Sequence, residues 1–107
     1  MTDKFAVYEA QLAVIRASID KVDEDLAKLL GTRLALAAEI GRLKVEWGLW
    51  EMDEARQTEI LQRLQRRFAD LAPLELEAVW RVLFSLSIAR QLEIIRNQPD
   101  LDDPNVV

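Results

Sequence analysis

The sequence predicts an all-α fold with one very long N-terminal helix, and three observations carry that expectation. Glycine and proline occur three times each in 107 residues. Leu, Ala, Glu, Gln and Arg, which lose little on entering a helix, are abundant. No stretch alternates apolar and polar side chains as a half-buried strand does; apolar residues recur at intervals of three and four instead.

The first helix is expected to begin between Lys4 and Gln11 and to run without proline to about Trp47, where Gly48 stops it. A second and shorter helix starts near Asp53, an N-cap residue ahead of Glu54, and carries Ile60, Leu61, Leu64 and Phe68 before residues 70–72 break the pattern. Pro73 opens the third at a position where a missing amide donor costs nothing. Leu76, Val79, Trp80, Leu83, Phe84, Ile88 and Ile94 form its apolar face, and it ends around Asn97. Residues 1–97 are thus expected to form one helical domain. Residues 98–107, with two prolines and three aspartates, read as a flexible acidic tail.

A first helix of about 35 to 40 residues spans roughly 50 to 60 Å, whereas a compact domain of this length is only about 35 Å across. The excess leaves an apolar face that a second copy laid alongside would cover, so a three-helix protomer in an intertwined homodimer is expected. The alternative is a solitary long helix with two short ones folded against part of it.

Composition narrows the chemistry. Cysteine and histidine are both absent, which excludes disulfides, thiol nucleophiles, imidazole bases and the usual zinc sites. No cofactor or metal site is expected. A net charge of −5 argues against nucleic acid as a partner. Residues 1–8 lack the basic flank and apolar run of a signal peptide, and no segment approaches the length of a membrane span; a cytoplasmic location away from membranes is expected.

The first helix carries the clue to function. Leu12, Ile15, Ile19, Val22, Leu26 and Leu29 form one seam, and the next position in that rhythm is Arg33. Lys44 lies eleven residues further, at nearly the same azimuth and roughly 16 Å along the axis. Two cations on an otherwise apolar face call for an anion beside them, unless both side chains lie along the face and send their charged heads to solvent. On the third helix Ser87 and Gln91 share a stripe with Phe84 and Ile94. A buried Ser can bond to the carbonyl four residues back, but a buried Gln amide needs partners that local backbone cannot supply. The competing register turns Arg90 inward and Gln91 out.

At these positions the chain resembles the all-helical chorismate mutases. The stretch LAVIRASIDKVDEDLAKLLGTRLALAAEIGRLK is similar to that family's first helix, with Arg16 ahead of Ile19 and Asp20, Arg33 after the Leu pair, and Lys44 eleven further on. Asp53 and Arg56 look like the Asp-x-x-Arg of its second helix, and Ser87 and Gln91 like the Ser-x-x-x-Gln of its third. The resemblance covers about Leu12 to Gln91, and its specificity lies in the joint spacing.

The resemblance implies a dimer with two equivalent pockets, each completed by Arg16 of the other protomer. It implies conversion of the dicarboxylate chorismate to prephenate by an intramolecular [3,3] rearrangement, on the path to phenylalanine and tyrosine. Lys44 and Gln91 would then donate to the breaking ether oxygen, and Arg16, Arg33 and Ser87 would bind the carboxylates. Arg56 would complete the charged wall, and Asp53 would face the ring hydroxyl. One position departs from the pattern: where the family commonly has Glu directly after the arginine of the second helix, this chain has Gln57, which bears on the choice of ring substituent. Two further readings stay open. One is an isochorismate-pyruvate lyase, or a mutase of an amino analogue, on the same fold; the other is a catalytically silent helical dimer that binds or regulates a partner.

Overall fold

The computed structural model describes residues 3–98, which form three helices: α1 (Lys4–Trp47), α2 (Glu54–Arg67) and α3 (Pro73–Arg96). No strand occurs among the described residues. Each expected helix is present near its expected bounds, and α2 is the shortest at 14 residues. The chain divides into two units between Arg33 and Leu34.

The first unit is helical from Lys4 onward, and Asp3 accepts from the Phe5 amide at 3.0 Å where the helix begins. That bond satisfies one of the amides that every helix start leaves without an intrahelical acceptor. Hydroxyls inside the unit bond back along the helix, Ser18 to the Val14 carbonyl at 3.3 Å and Thr32 to that of Lys28 at 3.1 Å. Of the expected apolar seam, Leu12 is half-buried, whereas Ile15, Ile19, Val22, Leu26 and Leu29 are all more than half exposed.

The second unit packs the end of α1 with α2 and α3 around a small core of Ala37, Ile60, Leu76 and Phe84. Helix α1 ends where Gly48 adopts φ +65°, a conformation that costs glycine nothing. The Gly48 amide donates to the Val45 carbonyl at 3.2 Å and the Leu49 amide to that of Lys44 at 2.9 Å. These are the paired bonds of a Schellman ending, and they turn the chain back beside the helix it has just left.

Asp53 caps α2, its carboxylate accepting from the Arg56 amide at 2.9 Å. Phe68, expected inside the helix, sits at its C-cap instead: its amide still reaches the Leu64 carbonyl at 2.8 Å, but its own carbonyl accepts from Leu71 in a turn. Pro73 begins α3, preceded by Ala72 in the extended conformation that a following proline favours. Val79, expected on the packed face of α3, is exposed: it lies about 60° to one side of buried Leu76 and Phe84 about 80° to the other, so the packed face is centred away from it. Of the expected tail, residues 99–107 lie outside the described residues.

Candidate functional site

Three local structures converge on Lys44. The side chain leaves the last turn of α1, and its ammonium donates to Gln91 Oε1 on α3 at 2.8 Å and to the Glu51 carbonyl at 2.9 Å. The second acceptor is available because the Schellman ending folds residues 49–52 back toward the helix. Lys44 and Gln91 are both half-buried, and the alternative register is not adopted, since Arg90 is exposed.

The geometry fixes which way the Gln91 amide faces. Because Oε1 accepts from an ammonium, which cannot itself accept, the amide nitrogen points away from Lys44. Two of the three ammonium protons have acceptors in the chain, and the Gln91 amide group makes no bond to another described residue through its nitrogen. The pair therefore holds spare N–H donors on two neighbouring side chains, both half-buried. Such an arrangement suits an oxygen that carries or develops negative charge.

The α1 backbone approaches α3 closely just before this pair. Ala37, Gly41 and Lys44 lie on one stripe, with Ala37 and Gly41 buried. A Cβ placed on Gly41 would stand 3.0 Å from Gln91 Cα and 3.3 Å from both the Gln91 carbonyl oxygen and Ile94 Cβ. Sequence reasoning passed over this glycine, although one inside a helix costs about 1 kcal/mol relative to alanine and so signals a packing or functional reason. The Glu51 carbonyl was also missed, and no side-chain pattern advertises a backbone acceptor.

The other expected site residues of this unit differ in setting. Ser87 is buried, its hydroxyl donating to the Leu83 carbonyl at 2.8 Å. Arg56 is exposed and pairs at 2.9 Å with Glu59 one turn along α2. One Asp53 carboxylate oxygen is committed to the cap. Gln57 is half-buried and lines a cleft of about 520 Å³ between α2 and α3, with Thr58, Leu61, Arg81, Phe84 and Ile88. Trp47 and Trp50, at the two ends of the turn after α1, are both exposed. In the first unit Arg16 is exposed, and Arg33, its last residue, is half-buried.

No cluster of acidic groups able to hold a metal ion occurs among the described residues, and no described helix is long and apolar enough to cross a membrane. A family model described as chorismate mutase type II matches residues 15–92. That span is most of the chain and contains every candidate site residue, so the chain belongs to this family. No curated protein and no solved structure gives a match.

Proposed function

We propose that this member of the chorismate mutase type II family is an isomerase that converts chorismate to prephenate. The observation that carries the reading is the Lys44–Gln91 pair, two fixed donors bonded to each other at 2.8 Å across two helices. In the rearrangement the ether carbon–oxygen bond breaks as a new carbon–carbon bond forms, within one molecule and through one cyclic transition state. Negative charge grows on the ether oxygen as that bond lengthens. Donors already aimed at it stabilise the transition state more than the ground state.

The remaining work is binding and shape. Chorismate must be held in a compact conformer, and holding it removes an entropic part of the barrier. Arg33, Ser87 and, from a second copy of the chain, Arg16 bind its two carboxylates, with Arg56 exchanging its exposed partner Glu59 to complete the cationic wall. Asp53 faces the ring hydroxyl, and Gln57 accepts near it. Neither nucleophile nor proton shuttle is needed, which fits a chain without Cys or His. Residues 1–97 constitute the catalytic domain and 98–107 an appended tail, and the enzyme works in the cytoplasm as a homodimer.

The direct test is prephenate formation from chorismate by the purified chain. A second reading is favoured by one observation, the amide Gln57 in the α2–α3 cleft where a carboxylate is usual in the resemblance. On that reading the substrate is isochorismate or an amino analogue. Pyruvate released from isochorismate, without prephenate from chorismate, would establish it in place of the first. A chain that transforms none of these compounds would be left as a helical binding partner.

A further inference from the structure

We infer that Gly41 is a positioning residue: by letting α1 approach α3 without a side chain between them, it sets the distance at which Lys44 holds Gln91. The inference rests on the reading of Lys44 and Gln91 as donors to the reacting oxygen. Three features of the structure support it. Gly41 is buried, on the stripe that leads to Lys44 one turn later. Its neighbours across the gap are the backbone Cα and carbonyl oxygen of Gln91, the residue that Lys44 grips. Backbone atoms cannot rotate aside as a flexible side-chain end can, so a Cβ at 3.0 Å is relieved only by moving the two helices apart by some tenths of an ångström.

The rest of α1 supplies a contrast. A methyl group added at Gly31 would meet nothing within 4 Å, so Gly31→Ala makes the same chemical change without the displacement. Misplacement of a catalytic group by about 1 Å can cost on the order of a hundredfold in rate. A shift of tenths of an ångström is expected to lower kcat several-fold.

The experiment is a double-mutant cycle on the purified full chain, with prephenate formation as the readout and thermal melts as the control for folding. Gly41→Ala is expected to lower kcat about three- to tenfold in the otherwise unaltered protein, and less than about twofold when Gln91 is already alanine, since the group it positions is then gone. Gly31→Ala is expected to keep the full rate. Equal losses from Gly41→Ala in both backgrounds would overturn the inference, as would an unchanged rate. Should Gly41→Ala not melt cooperatively at the assay temperature, the cycle is repeated at a lower temperature at which it does. Failure to fold at any temperature would make the glycine a folding residue and also overturn the inference. A wild-type chain that forms no prephenate would overturn the functional reading itself, whereas an active wild type with additive losses removes only the role of Gly41.

Discussion

Lys44 has three ammonium protons, and the chain supplies acceptors for two of them, a backbone carbonyl and an amide oxygen. Truncating it therefore removes a donor without leaving a buried charge behind. Lys44→Ala is expected to lower kcat/KM by about a hundred- to a thousandfold, the loss typical of a preorganised donor. The protein is expected to stay folded, because each lost bond from the ammonium is worth about 1.5–3 kcal/mol at most and water replaces part of it at this half-buried position. Gln91→Ala follows the same pattern, and steady-state assays beside thermal melts check both. Gln91→Glu separates donation from shape. A carboxylate beside the ammonium cannot donate to an oxygen, whereas the carboxylic acid can, so activity is expected to fall as pH rises through that group's titration. The Lys44 cation favours the ionised form and pushes the limb to lower pH. A flat pH–rate profile would show that donation from position 91 is not needed. At this scale two side chains stand out in the spacing: Lys44, near the azimuth of an apolar seam that Arg33 interrupts, and Gln91, on an apolar stripe, are both visible in the sequence. The Glu51 carbonyl was silent because it acts through backbone, which no residue type encodes, whereas Gly41 was marked only as a glycine inside a helix, with nothing in the sequence to say what approaches it.

The helices themselves were readable for a simple reason: their ends are marked by residue types with strong conformational preferences. Asp53 caps α2, Pro73 opens α3, and Gly48 closes α1 in a conformation that other residues resist. Gly48→Ala is expected to destabilise by about 1 kcal/mol, since a left-handed residue with a Cβ costs roughly 1–2 kcal/mol. Because the same turn carries Glu51 to Lys44, the activity of this variant is expected to fall with its stability. Asp53 caps α2 and, in the proposed function, also faces the substrate; two substitutions divide the observed role from the proposed one. Asp53→Ser retains an N-cap and removes the carboxylate, whereas Asp53→Ala removes both and is expected to cost about 1 kcal/mol of stability. Chemical denaturation of the two, read beside their KM values, separates the cap from any contact with substrate. Less legible was the exact packing of each face. Phe68 reads as one more apolar position at helical spacing, but the turn formed with Leu71 takes over its carbonyl and ends the helix there. Spacing records which residues share a stripe and says nothing of where a competing turn begins.

For the whole molecule, the decisive matter is what covers the first unit. Ile15, Ile19, Val22, Leu26 and Leu29 expose more than half of their surface along one helix face, a continuous apolar stripe that water disfavours and a second helix would bury. The three-and-four spacing suits packing at a small crossing angle, and a second copy brings the same face to meet it. Arg16 lies in this unit, next in sequence to Ile15, so any contribution it makes to a site is tied to the association of two chains. Complementation tests that link. In a dimer whose sites each combine Lys44 of one chain with Arg16 of the other, Arg16→Ala and Lys44→Ala homodimers both have two defective sites. A mixed dimer has one site with both defects and one with neither. Unfolding the two variants together and refolding them at equal concentration gives about half mixed dimers, and so about a quarter of the wild-type activity from two nearly inactive proteins. If Arg16 served its own chain, or if the chains did not pair, the mixture would be no more active than its components. Ile19→Lys, which sets a charge in the middle of the stripe, is expected to abolish the recovery by preventing association, with the loss of the dimer visible by sedimentation.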